Sequence, residues 1–328
     1  MRRSTLITAL SGLGLAAFTL LGTAHATESR ELLIENYIGT INILTQGAEI
    51  TVEGAKDGTV RTQKSQTTID GNESIKSANC KKTKGNISLS IGKKSWRKRF
   101  GGYKDLDDYP VLDISVPSAT TLTIRNSIVF GQGEDFAAVD AEIDSCGYFE
   151  VGDINGPLVL RVSGSGDFKA ANVGTANVKV SGSGDVTLKD TRAAVLKVTG
   201  SGDISAETIT GPAKLSTLGS GDIELEAIDG DLAYVGRGSS DLSVGRVDGP
   251  ISLSLTGSGD VEIDAGNAPI LIMSASGSSE IDFKGEAEDV TITSRGSSSI
   301  TVETATGDID IKRSGSGDIE INDQSYND

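Results

Sequence analysis

The sequence is poor in the side chains that most enzymes use. It contains one histidine, two cysteines and six prolines, and aromatic residues make up 4% of its 328 positions. The single histidine, His25, lies in a segment that we expect to be removed from the mature protein. Without it the chain has no imidazole for a serine-protease triad, a general base or a zinc site.

The segment in question has the pattern of a secretory signal peptide. Arg2 and Arg3 precede an apolar run over 6–21, and the small residues of 24–26 form a cleavage site. We therefore predict a signal peptide over 1–26 and a mature chain over 27–328, located in the periplasm or on the outer surface of a bacterium. No other apolar run is long enough to cross a bilayer, so we expect no transmembrane segment in the mature chain.

The mature chain is strongly acidic. Its 46 acidic residues face 28 basic ones, a net charge of −18. Such a charge opposes binding along a nucleic acid, and no nucleic-acid partner is expected.

The two cysteines lie far apart in the sequence. Cys80 and Cys146 are 66 residues from each other, which corresponds to more than three turns of the repeat described below. At about 4.8 Å per turn this exceeds the reach of about 7 Å between the Cα atoms of a disulfide. We therefore expect two buried thiols, although the oxidising compartment would favour a bond if the chain folded back.

One tetrapeptide, Gly-Ser-Gly-Asp, returns along the second half of the chain at intervals of 18 to 20 residues. Three of the later copies vary to Gly-Ser-Ser followed by Asp, Glu or Ser. A period this short and regular indicates a solenoid, and both glycines are expected to take positive φ at a sharp corner. The first glycines of the copies are Gly164, Gly182, Gly200, Gly219, Gly238, Gly257, Gly277, Gly296 and Gly315.

Apolar residues alternate with polar ones on both sides of each tetrapeptide. They stand four and six residues after the first glycine, as Ile223 and Leu225 do, and again before the next copies, as Ile251 and Leu253 do. A third column holds residues such as Ile228. This is the period of β-strands, and no eleven-residue window shows the helical spacing of a leucine-rich repeat.

The predicted fold is therefore all-β, a single elongated right-handed parallel β-helix with coils of about 18–20 residues. The handedness follows from the general preference of parallel crossovers. We divide the mature chain into irregular N-terminal coils over 27–146 with a basic insertion near 76–104, regular coils over 147–321, and a polar tail over 322–328 that can cap the end.

Three sets of residues resemble a known family. They are the serial Ser-Gly-Ser-Gly-Asp copies at 163–167, 181–185 and 314–318, the opening at 43–47 with 52–54, and the segment 113–117. With these residues the chain resembles the bacterial autotransporter adhesin family with a head GIN domain, over nearly all of its mature length. The resemblance implies a β-helix in the envelope and supplies no catalytic residues.

The one compositional anomaly is a basic segment that contains aromatic residues. Between 76 and 104 there are ten Lys or Arg residues and no acid. Such a segment could bind an anionic glycan or lipopolysaccharide phosphate, since Arg and Lys supply charge and aromatic rings supply stacking faces; a solvated loop is the alternative. The candidate ligand-binding residues are Lys93, Lys94, Trp96, Arg97, Lys98, Arg99, Phe100 and Tyr103.

The aspartates of the repeats form a column that resembles a calcium-binding β-roll. That motif recurs about every nine residues, however, and the period here is twice as long. The predicted role is to accept backbone N–H bonds at the turns. Calcium is the alternative, with candidate ligands Asp203, Asp222, Asp241 and Asp260.

These observations favour a non-enzymatic exported module that binds or adheres at the envelope, or has a structural role there. Its expected partners are an anionic envelope glycan, lipopolysaccharide or another surface protein, and no cofactor is expected. The alternative is a polysaccharide lyase or hydrolase on a β-helix, since such enzymes need only carboxylates, Lys or Arg. The repeat makes paired carboxylates abundant and therefore uninformative.

Overall fold

The repeats stack as parallel strands, each in register with its equivalent one coil away. The computed structural model describes residues 30–54, 58–71, 78–83, 86–91 and 104–326, and the predicted signal peptide therefore lies outside the described residues. Within them, 27 strands form one continuous sheet that winds into a parallel β-solenoid of about 11 turns. The prediction of an all-β parallel solenoid is confirmed.

Each regular coil contributes one strand to each of two faces. The first face consists of β11 (Ala138–Ile143), β13 (Ile154–Gly164), β15 (Val173–Gly182), β17 (Ala194–Gly200), β19 (Ala213–Gly219), β21 (Leu232–Gly238), β23 (Ile251–Gly257), β25 (Gly266–Gly277), the second half of β26 (Glu280–Gly296) and β28 (Ile309–Gly315). The second face consists of β12 (Tyr148–Val151), β14 (Asp167–Ala170), β16 (Val186–Leu188), β18 (Ile204–Ile209), β20 (Ile223–Ile228), β22 (Leu242–Asp248), β24 (Asp260–Ile263), the first half of β26, β27 (Ser299–Ala305) and β29 (Ile319–Ile321).

The predicted apolar columns form the core between these faces. Ile223 and Leu225 are buried, as are Leu253 and Ile228, and every equivalent position after the repeated glycine is buried in the same way. One continuous cluster of buried side chains runs from Leu32 to Ile321. The core therefore grows along the axis with each coil, because one coil alone could not cover its own apolar side chains.

The two glycines of the tetrapeptide have different roles. Gly182 has φ +133°, as expected at the corner. Gly184 does not have a positive φ, but a Cβ there would lie 1.9 Å from the carbonyl oxygen of Gly166 on the preceding coil. The expectation of positive φ is thus correct for the first glycine only, and the second is small because neighbouring backbones approach closely.

The N-terminal coils do not stack in sequence order. Strand β1 (Arg30–Glu35) pairs in parallel with both β5 (Gln66–Asp70) and β10 (Thr120–Gly133). Likewise β2 (Ile38–Thr45) lies between β9 (Val111–Val116) and β10. The first coil of the chain is therefore the second coil in space.

Antiparallel strands cover both ends of the solenoid. At the N-terminal end β3 (Thr51–Glu53) pairs with β9, and β4 (Thr59–Gln63) pairs with β5. At the other end β30 (Gln324–Ser325) folds back on β29 through Asn322 and Asp323, which both have positive φ, as in a tight hairpin. The polar tail thus caps a strand edge as predicted, which protects that edge from pairing with another chain.

The segment between β5 and β9 leaves the stack. Its backbone forms a separate antiparallel sheet of β6 (Ala78–Thr83), β7 (Asn86–Ile91) and β8 (Lys104–Asp105), followed by a short 3-10 turn at Leu106–Asp108. Leu106 and Tyr109 pack against a small second cluster of buried residues on the outside of the solenoid. That cluster consists of Ile38, Ile128, Phe130 and Cys146.

Cys146 is buried and disulfide-bonded, so the prediction that it carries a free thiol is wrong. The sequence contains one other cysteine, Cys80. The prediction converted 66 residues of sequence into stacked coils, but β7, β8 and part of β6 lie within that length and belong to the separate sheet. Sequence distance therefore does not measure distance along the axis in this part of the chain.

Replacing Ile223 by Asp should lower stability by at least about 3 kcal/mol, because it removes a buried aliphatic side chain and places a charge in the core. Glu224→Asp and Thr187→Asp are matched controls, since both positions are exposed, and they should change stability by less than about 0.5 kcal/mol. Urea unfolding of the three variants measures the difference. Equal losses at Ile223 and Glu224 would contradict the column assignment.

Candidate functional site

A long apolar groove runs along the outside of the first face. It crosses seven neighbouring strands from β13 to β25, which at about 4.8 Å per step corresponds to about 29 Å, and it encloses about 750 Å³. The lining consists of Pro157, Leu158, Val159, Thr175, Ala176, Asn177, Ala193, Ala194, Val195, Pro212, Ala213, Lys214, Asp231, Leu232, Ala233, Pro250, Ile251, Ser252, Ile270 and Ile272. We call this surface the groove.

Aliphatic side chains remain unusually exposed along the groove. Val195, Ile270 and Ile272 are 46%, 48% and 44% exposed. Two rim positions are Pro212 and Pro250, whose carbonyls accept bonds from the neighbouring strand and whose rings offer no N–H. Contiguous exposed apolar surface on a soluble protein marks an interaction site more often than scattered single residues do.

Small residues lie beneath the middle of the groove. The inward-facing residue there is Ala176, Ala194 and Ala213 on successive strands, whereas Leu232 and Ile251 occupy the same column further on. Because the interior is close-packed, less side-chain volume draws the wall inwards. We attribute the depression of the groove in this region to these alanines.

A row of cations borders the groove. Arg161, Lys179 and Lys197 are in register on β13, β15 and β17, two residues after the groove lining and hence on the same outward side. Arg161 lies 3.9 Å from Glu142, and within the described chain Lys179 and Lys197 form no salt bridge. Like charges on directly opposed positions destabilise a sheet, so the pairing of Lys179 with Lys197 does not stabilise the fold.

Two further cations lie nearby. Lys214 lines the groove itself. On the opposite side Arg192 donates 3.3 Å bonds to the carbonyl oxygens of Gly174 and Asn155, so main-chain groups and no carboxylate hold it. The first half of the groove therefore has positive charge on both sides, in a chain whose net charge is −16.

The second face is acidic. A smaller depression of about 500 Å³ is lined by Glu207, Glu224, Glu226 and Asp264 among others. Beside it the Lys284 ammonium lies 2.9 Å from Asp264; its pKa is raised by its hydrogen bonds to Glu262 and Asp264. The enzyme alternative would find several carboxylates close together in this depression.

Three aromatic rings of the regular coils lie inside the solenoid. Phe168, Tyr234 and Phe283 are buried, and burial raises the pKa of Tyr234. The Tyr234 hydroxyl is bonded to Thr217 at 2.7 Å. These rings cannot stack on a sugar.

The aspartate column is a hydrogen-bond ladder. The Asp203 Oδ1 accepts the backbone N–H of Asp222 at 2.8 Å, and Asp222 in turn accepts that of Asp241, which accepts that of Asp260, both at 2.8 Å. The ladder extends back to Asp185 and Asp167 and forward from Asp260 to the N–H of Glu280, with distances of 3.0 to 3.2 Å. The predicted role as acceptors of backbone N–H bonds is confirmed.

The ladder shows that each carboxylate accepts a hydrogen bond from the next coil. This role does not by itself decide whether the column also binds calcium. Over the described residues, no group of three or more His, Cys, Asp or Glu side chains is placed to hold a metal ion. The basic segment Lys93–Tyr103 falls within 92–103 and lies outside the described residues.

Sequence reasoning missed the groove because it treated outward positions as polar. The available signal was an aliphatic residue at Val159, Val195 and Ile272 in one outward column.

Asp222→Ala should lower the free energy of unfolding by about 1 kcal/mol, because the Asp241 N–H loses its acceptor. Asp222→Asn should stay close to the parent protein, since the amide oxygen can accept the same bond. Denaturant unfolding separates the two variants, and equal losses of stability would contradict the ladder.

A second measurement tests calcium. A melting temperature that rises with millimolar calcium at high salt, and no longer does so when Asp222→Asn and Asp241→Asn are combined, would instead assign the column to metal binding.

No helix in the described part of the chain has the length and apolarity to span a membrane. Residues 207–326 match the family model described as "Putative auto-transporter adhesin, head GIN domain", which confirms the resemblance over that stretch. The matched stretch begins in β18 and covers the later half of the groove and the C-terminal cap. No curated protein matches the chain, and no solved structure does.

Proposed function

We propose that the chain is an exported, non-enzymatic binding module of the bacterial envelope and that the groove is its binding surface. The observation that carries the proposal is the apolar lining of the groove, in which Val195, Ile270 and Ile272 stay about half exposed. Exposure of this kind is costly in water and gains stability only when another apolar surface covers it. The match to the adhesin family over 207–326 supports a surface or binding role.

The architecture supports binding rather than catalysis. The groove lining contains two ionisable side chains, the base Lys214 and the acid Asp231, which is a sparse set for catalysis. General acid–base chemistry needs converging groups at hydrogen-bond reach of the substrate. The buried rings of Phe168, Tyr234 and Phe283 also cannot serve as the stacking platforms that a polysaccharide enzyme would use.

Val195→Asp combined with Ile272→Asp should weaken retention of the mature protein on isolated bacterial envelopes at least tenfold, because charge replaces apolar surface in the groove. Cosedimentation of the protein with envelopes measures retention. Leu218→Asp is the matched control, since Leu218 is 52% exposed and lies outside the groove; it should bind as the parent protein does. Unchanged retention of the double variant would refute the groove as the binding surface.

The basic segment is a second candidate for contact with anionic polymers. Lys98→Glu combined with Arg99→Glu should abolish salt-sensitive binding to an anionic polysaccharide while the far-ultraviolet circular dichroism stays unchanged. Unaltered binding would leave the segment as a solvated loop. Release of reducing ends or unsaturated sugars from the polysaccharide would favour the enzyme alternative.

A further inference from the structure

The lining of the groove selects for a particular class of ligand. It contains valine, isoleucine, leucine, alanine and proline and no aromatic ring, and its neutral polar side chains are Thr175, Asn177 and Ser252. Sugar rings are bound by aromatic faces and dense hydrogen bonding, whereas an alkyl chain needs only continuous aliphatic contact. The volume of 750 Å³ falls within the range of about 300–1,000 Å³ that small-molecule sites occupy.

The groove also has two different ends. Its beginning lies beside the cations Arg161, Lys179 and Lys197, with Arg192 across from them. Its far end, at Ile270 and Ile272, is aliphatic and half exposed. A ligand that matches both ends carries an anionic group at one end and a hydrocarbon chain at the other.

The cations are available for such a group. Lys179 and Lys197 are exposed and form no ion pair in the described chain, and Arg161 has its carboxylate neighbour only at 3.9 Å. Lys and Arg side chains in this arrangement provide charge-assisted hydrogen bonds to phosphate oxygens. A bound phosphate would also relieve the repulsion between the stacked cations.

We propose that the groove binds one anionic phospholipid, with its phosphate over Arg161, Lys179 and Lys197 and its two acyl chains extended along the groove towards Ile272. This inference rests on the proposed function, because it names the ligand class of the same groove. The cationic row determines the orientation, since the acidic Asp231 lies in the later part of the lining. The aliphatic lining accepts the acyl chains of the lipid, and the cations beside the groove favour an anionic headgroup over a zwitterionic one.

The test is calorimetric titration of the mature protein with dioctanoyl phosphatidylglycerol below its critical micelle concentration. Dioctanoyl phosphatidylcholine, with the same chains, should bind at least tenfold more weakly, and inorganic phosphate alone should give no measurable heat. Equal affinity for the two lipids, or no binding of phosphatidylglycerol, would overturn the proposal.

Two variants locate the ends of the ligand. Lys179→Glu combined with Lys197→Glu should lower the affinity for phosphatidylglycerol at least tenfold and remove the preference over phosphatidylcholine. Ile272→Asp should weaken both lipids. Lys312→Glu and Leu218→Asp are the controls, since both residues are exposed outside the groove, and they should leave binding unchanged; circular dichroism verifies that every variant is folded.

The outcomes separate this inference from the proposed function. Envelope retention that depends on Val195 and Ile272 without any binding of phosphatidylglycerol would refute the lipid and leave the binding module standing. Envelope retention that does not depend on Val195 and Ile272, together with no binding of phosphatidylglycerol, would refute both the binding module and the lipid. A dimer in sedimentation that dissociates on Val195→Asp with Ile272→Asp would assign the groove to a second copy of the chain, and tight binding of an acidic peptide without an acyl chain would assign it to a protein partner; either result overturns the lipid proposal.

Discussion

The structure depends on the in-register stacking of each coil on the one before it. Parallel pairing places every residue over its equivalent, as with Gly182 over Gly164 and Gly200 over Gly182. The backbone groups of one coil are satisfied only by its neighbours, so a single coil is not a stable unit. This explains why glycine is needed at the corner, because a Cβ added at Gly184 would clash with a carbonyl oxygen of the preceding coil.

Stacking places the equivalent residues of successive coils next to one another in a row. The chemistry of that residue then determines whether the row stabilises or destabilises the fold. In the aspartate ladder each carboxylate accepts a backbone N–H from the next coil, which offsets a repulsion of about 0.9 kcal/mol between unit charges about 4.8 Å apart in water. In the row of Arg161, Lys179 and Lys197, Arg161 has a carboxylate neighbour, Glu142 at 3.9 Å, whereas Lys179 and Lys197 form no salt bridge within the described chain. The same geometry thus stabilises the corner and leaves an unbalanced positive strip beside the groove.

The ends of the solenoid show how the stack is closed. Antiparallel strands cover β9 and β5 at one end and β29 at the other. The last strand of the first face, β28, is protected differently. Arg313 occupies a position in the column of Ala275 and Ser294 and donates to the Gly317 carbonyl, and an inward-facing charge of this kind discourages edge-to-edge pairing.

The sequence by itself determined the solenoid, its coil length, its buried columns and the acceptor role of the aspartates. Those features recur in every coil, so each copy of the repeat, such as Ile223 after Gly219, supports the same interpretation. When the next coil stacks in register, an alternation of period two indicates a strand with one buried side. Only the tertiary structure decided the order of the N-terminal coils, the bond at Cys146 and the groove. The first two depend on how non-repeating segments return to the stack. The groove is formed by outward side chains from seven coils, among them Val195 and Ile272. Inward residues can be recognised in the sequence because burial requires them to be apolar, whereas the properties of the outward surface depend on which side chains the fold places next to one another.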